Sequence, residues 1–200
     1  MKLIPILPLA VFALASGAFA QSKNFSVGAS GRAAAQVFTF ESEAELEDFT
    51  GLTHKVTGNL SFDPKAKTGS GRIVVDIASI DTGIPMRNDH LRGATWFDAT
   101  KFPTATFETT KVAHKSGDTY TVTGKLTVKG VTKTITVPAT VKYMPQSETT
   151  QRAGFKGDVL QVKTSFKVTL KDYNVTIPAP AQGKVGESVT IKLTVFGSAS

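Results

Sequence analysis

The chain of 200 residues contains no cysteine. Disulfides, thiolate metal sites and a cysteine nucleophile are all excluded by that one absence. Histidine is scarce as well. His54, His90 and His114 are the three present, and none stands in an H-x-H or H-x-x-x-H spacing that would suit a metal. No G-x-S-x-G occurs, so a nucleophile elbow has no candidate, and no Gly-rich phosphate loop of the Walker type occurs either. Dense Lys/Arg blocks are missing too. The 23 Lys+Arg against 16 Asp+Glu give +7 spread thinly along the chain. That pattern reads as a solvated basic surface rather than a nucleic-acid site. No cofactor, metal or nucleic-acid partner is expected.

An extended apolar run occurs only once, at residues 3–15, broken by Pro5 and Pro8. It is too short to span a hydrocarbon core that needs about 20 apolar residues. Lys2 precedes it, and Ala18-Phe19-Ala20 follows as a small-x-small cleavage site. Residues 1–20 therefore read as a signal peptide cleaved after Ala20, which implies a periplasmic or secreted protein. Its removal takes Lys2 and lowers the net charge from +7 to +6. Residues 21–200 are expected to form one domain with a continuous core, without stable membrane insertion.

What the chain does have is alternation. Apolar and polar residues alternate around residues 38–40, 56–62, 73–77, 105–107, 120–128, 135–143, 160–170 and 189–195. Period two marks strands with one buried and one wet face. Eight strands follow, with a short ninth around residues 25–27. Thr and Lys dominate the outer face, where Thr suits the pleat and Lys discourages edge pairing. Helix signals are local. Residues 42–49 start with Ser and carry Glu three positions on, a capping-box arrangement. Residues 84–93 have Pro near the start and Gly at the end. Residues 144–156 read as a polar loop. One-sided alternation over eight strands permits a two-sheet sandwich or a closed barrel, and the length of several strands favours the barrel.

Thirteen Phe are present, most of the mature ones on the apolar parity or in the segment Trp96 to Pro103. They either fill a core or line a cavity for an apolar ligand, and periodicity alone favours the core. Asp76 and Glu108 lie on the polar parity of their strands, which argues against a paired-carboxylate site. Arg87, Asp89 and His90 are expected to organise the helical turn rather than to catalyse.

Several motifs are more specific. Ser79-Ile80-Asp81-Thr82-Gly83 is followed by Arg87, His90-Leu91, Phe97-Asp98, Phe102-Pro103 and Phe107. Upstream lies Gly58-Asn59-Leu60-Ser61-Phe62-Asp63-Pro64. Downstream, Gly124-Lys125-Leu126-Thr127 runs on to Gly130-Val131-Thr132-Lys133, and Val185-Gly186-Glu187 to Val189 and Ile191. In this order they resemble the YceI-like family of polyisoprenoid-binding, lipocalin-like proteins, over about residues 57–195. The resemblance implies an all-β fold, an eight-stranded antiparallel barrel of extended lipocalin type with one or two short helices. It also implies an isoprenoid or other long-chain lipid inside the barrel, export, and no established catalysis.

Together with inward parity, the resemblance places ligand contacts at Phe38, Phe40, Leu60, Phe62, Val75, Ile77, Phe107, Val128, Val137, Phe166 and Ile191. It adds Leu91, Trp96, Phe97 and Phe102 from the motif segment. The family's usual histidine-bearing opening segment is absent, Asn24-Phe25-Ser26-Val27-Gly28 standing in its place. The expectation is an exported, non-enzymatic carrier. A filled-barrel stress or interaction module and an enzyme acting on an isoprenoid lipid are the alternatives. A homodimer is left open.

Overall fold

The computed structural model describes residues 21–28 and 35–199. Residues 1–20, expected from the sequence to be a signal peptide, lie outside the described residues. Ten strand segments form one antiparallel sheet: β1 Lys23–Val27, β2 Val37–Ser42, β3 Phe49–Thr53, β4 Val56–Asp63, β5 Thr68–Asp76, β6 Thr104–Ser116, β7 Thr119–Val128, β8 Val131–Met144, β9 Val159–Thr169 and β10 Ser188–Ala199. Two helices complete it, α1 Pro85–Arg92 and α2 Glu148–Arg152.

The sheet closes on itself. β1 pairs with β4 on one side and β10 on the other, so β1-β4-β5-β6-β7-β8-β9-β10 is a ring of eight. β2 and β3 are not extra staves. β10 pairs with β1 through Gly197–Ala199 and with β2 through Val189–Thr194, on the same edge. β2 in turn pairs with β3 as β1 pairs with β4. Two of the eight staves are thus each interrupted once. At the break, β10 would leave the Phe196 backbone unpaired. Buried Gln36 fills the gap: its amide donates to the Phe196 carbonyl (3.1 Å) and its side-chain oxygen accepts from the Phe196 N–H (2.9 Å).

Tight turns set the register. Lys129 and Gly130 both take positive φ, 48° and 76°, which is the two-residue turn whose twist matches a hairpin. Along β4 and β5 three of the four inward pairs set one large residue opposite a glycine, Gly58 and Ile73, Leu60 and Gly71, Phe62 and Gly69, and the fourth pairs Val56 with Val75. Phe40 and Gly51 repeat the glycine pairing between β2 and β3. Large side chains lie along the wall where a Cβ would stand, so the barrel axis is not filled from both sides.

Three sequence expectations change. Residues 42–49 are not a helix. Ser42 is buried at the end of β2, and its hydroxyl accepts from the Gly186 N–H instead of from a helix amide. Asp48 takes the Ala44 N–H, the chain bends, and Phe49 opens β3, a strand that alternation alone does not reveal. The second change is that the loop at residues 144–156 contains α2, capped by Ser147 and Thr150 on each other's backbone. His90, thirdly, is exposed and makes no side-chain bond; Asn88 organises α1 in its place. The short strand at residues 25–27 and the helix at 84–93 appear as β1 and α1.

Candidate lipid site inside the barrel

The lumen holds two apolar chambers in line along the axis. The upper chamber lies under α1 and has a volume of about 80 Å³. Phe38, Phe40 and Ile191 line its strand walls, with Val128 from β7 and Ile77 from the 3-10 turn that follows β5. Leu91, Trp96 and Phe97 roof it from α1 and the segment after it. The lower chamber has about 90 Å³ and is lined by Leu60, Phe62, Phe107, Val137 and neighbouring Val, Leu and Ala side chains. Of the residues expected in the site, Val75, Phe102 and Phe166 line neither chamber. Val75 is packed among Val27, Val56, Ile73 and Val195. The Phe102 ring lies against Gly130 on the β7–β8 turn, with the Lys101 ammonium 5.3 Å from its centre.

Above the upper chamber lies an open vestibule of about 720 Å³. Phe49, Leu91, Trp96 and Val185 line both spaces and form the threshold between them. A latch crosses the mouth. The Arg87 guanidinium donates to Glu47 at 2.5 Å and lies 4.3 Å over the Phe49 ring, joining α1 to the loop between β2 and β3. That loop is also tied to the opposite rim, where the Leu46 N–H donates to the Gly183 carbonyl. Leu46, Ile84 and Met86 stand exposed around the opening.

α1 itself is held by a polar knot that alternation could not show. The Asn88 side-chain oxygen accepts from the Thr82 N–H and hydroxyl, both at 2.8 Å. Its amide donates to Asp81 at 2.7 Å, and the Gly83 N–H donates to the same oxygen at 2.9 Å. These bonds, Asn88 first, hold the Asp81 carboxyl below the usual carboxylate range. The sole sequence signal for Asn88 is its place six residues after Thr82.

The lower end is tightly packed. Phe25, Phe62, Tyr120, Ala139, Val141 and Leu160 form a buried plug. Burial pushes the Tyr120 phenol up. Lys23 donates to Asp158 (2.5 Å) and to the Tyr143 hydroxyl (2.9 Å), and Tyr143 donates to Asp158 (2.7 Å). This triad ties the first strand to β8 and the start of β9. Asp158 falls to about 2, chiefly through the Lys23 bond and then Tyr143.

Chemically, the interior can do one thing well: it can surround an apolar chain. Among the described residues, no three His, Asp or Glu side chains come together in a way that could hold a metal. No described helix is long and apolar enough to cross a membrane.

A family model described as YceI-like domain matches residues 29–196. A UPF0312 protein of Yersinia pestis (strain Pestoides F) is 35% identical over 144 residues, 70% of this chain and 68% of that one. Among solved structures, Burkholderia cenocepacia BcnA superposes with a TM-score of 0.70 at 31% identity, covering 82% of this chain and 97% of its own. A polyisoprenoid binding domain from Saccharophagus degradans, implicated in plant cell wall breakdown, has the same fold. Its TM-score is 0.65 at 17% identity, with coverage of 88% and 98%.

Proposed function

The chain belongs to the YceI-like domain family, and on that premise we propose that it is an exported, non-enzymatic binding protein that holds an isoprenoid or similar long apolar lipid in its barrel. The observation that carries this reading is the lumen: two apolar chambers in line, with a buried cluster at one end and an open vestibule at the other. The polyisoprenoid-binding domain of the same fold supports the ligand class. The leader at residues 1–20 supports export to the periplasm or medium.

Energetics favour the same reading. Each CH₂ moved from water into such a lumen gains about 0.8 kcal/mol, so a long chain binds tightly without a charged anchor. The chambers as they stand are smaller than the ~150 Å³ cavity that takes benzene. A long chain therefore enters by displacing side chains, and the large residues opposite glycines are the ones with room to move along the wall.

The test is mass spectrometry of an organic extract of protein purified from its natural host. A stoichiometric long-chain lipid is the expected result. Protein that carries no apolar molecule from the host, and takes none up from mixed lipid extracts, would overturn the proposal.

A further inference from the structure

We propose that Phe107 is the partition that sets how long a chain the barrel accepts, an inference that rests on the lipid-binding reading above. The two chambers share no lining residue. The boundary between them can be located strand by strand. On β7, Val122 lines the lower chamber and Leu126 the upper, with Gly124 between them. On β10 the change falls between Ile191 and Leu193. On β6 it falls between Ala105 and Phe107.

At that level the wall offers a glycine and a ring. A Cβ at Gly124 would collide with the far end of the Phe107 ring. The ring therefore reaches from β6 across the inward place of Gly124 on β7. Phe107 is directly paired with Leu126, a residue of the other chamber. The Phe107 ring thus stands on the seam between two voids of about 80 and about 90 Å³, where β9 also sets Phe166 between Thr164 of the lower chamber and Val168 of the upper. While the Phe107 ring stays there, a chain fills one chamber. When it is removed, the two become one longer space. Chain length is then read by a steric stop, as a pocket of fixed depth reads it, and not by a polar contact.

The experiment uses the mature protein and a graded series of straight-chain alcohols from octanol to eicosanol, scored by displacement of aminoanthracene fluorescence. Affinity should rise by about fourfold per added methylene and then level off when the chamber is full. In Phe107→Ala the levelling should move to longer alcohols by several methylenes, with the short alcohols little changed. Phe107→Leu keeps most of the side-chain volume and guards against loss of fold; it should move the plateau in the same direction by less. Phe166→Ala tests the other aromatic on the seam and should move the plateau by less than Phe107→Ala; Phe102→Ala, whose ring packs on the β7–β8 turn and lines neither chamber, should leave the plateau where it is. A plateau at the same length in wild type and both Phe107 variants would overturn the partition, as would an equal or larger shift in Phe166→Ala or a shift in Phe102→Ala. Failure of every alcohol to displace the dye from folded wild type would overturn the binding reading itself.

Discussion

The two ends of the barrel are built from the same strands and behave as opposites. At the lower end, Phe25, Tyr120 and Leu160 are at most 2% exposed and belong to one buried cluster beside the lower chamber. At the upper end, Leu91 and Trp96 are 8–9% exposed and line the upper chamber on one side and the open vestibule on the other. Charges follow the same division. The lower triad knits the first strand into the wall, whereas the upper Arg87–Glu47 pair joins a short helix to a loop across an opening. A packed end supplies stability and an open end supplies access, so the two functions are separated along the axis.

Truncation should expose that division most strongly. Phe25→Ala removes a ring from the plug and from the strand that closes the barrel. It is expected to cost about 3–5 kcal/mol, a large share of a typical 5–15 kcal/mol. Leu91→Ala enlarges a space that is already open and should cost only about 2 kcal/mol, the low end for such a change. Urea midpoints of the two variants measure the difference. Equal losses would mean that the upper roof is as tightly packed as the plug.

Asn88→Ala comes next. It strips the Asp81–Thr82 knot of its centre and leaves the Thr82 N–H without its partner. A loss of about 1–2 kcal/mol is expected. Local hydrogen exchange should rise in α1 and not in β1. Exchange that rose equally at both ends would show that the ends are one cooperative unit.

Much of this architecture was legible in the alternation. Seven strands from β4 to β10 and the wet Thr/Lys face follow from period two, because a barrel buries one side of every strand. β3 was not, since Thr50-Gly51-Leu52-Thr53 is short, carries a glycine and turns Leu52 outward. The acidic run before it imitates a helix start. In the site, the strand residues Phe38, Phe40, Leu60, Phe62, Val137 and Ile191 reach the chambers by parity. Phe102 belongs to the recognised motif segment yet packs on a turn, because motif membership says nothing of direction. Gln36 and Asp158 act through partners far away in sequence, and Asn88 through residues six and seven positions before it, which a two-residue period does not reveal.

A smaller effect separates latch from lock. The Arg87 side chain is 19% exposed and Glu47 39%, so the pair is worth under about 1 kcal/mol. Arg87→Ala should leave the melting temperature within a few degrees. It should raise the rate of dye release, because the Phe49 side of the threshold is then untethered. Stopped-flow release measures this; an unchanged rate would mean that the latch does not limit passage.

The smallest effect concerns acid. The folded Asp158 carboxyl titrates near 2 against 3.8 for the free side chain, through the Lys23 and Tyr143 bonds. A depressed folded value means that the bond's contribution is fully present above about pH 4 and is lost as pH falls toward about 2. Lys23 is shifted upward by the same partner, so above that acid limb the contribution holds up to the lysine's unfolded value and fades only in strong alkali. Asp158→Asn should therefore melt earlier than wild type at neutral pH by a modest margin, and the margin should shrink steadily between about pH 4 and about pH 2. Asp81 is depressed too, but by Asn88 at the upper end. In Asn88→Ala that second acid limb should weaken while the Asp158 limb persists. Thermal melts of both variants across the acid range, with β1 and α1 followed separately by hydrogen exchange, assign each limb to its end. A margin for Asp158→Asn that stayed constant down to pH 2 would mean that packing, and not the charged triad, fastens the first strand.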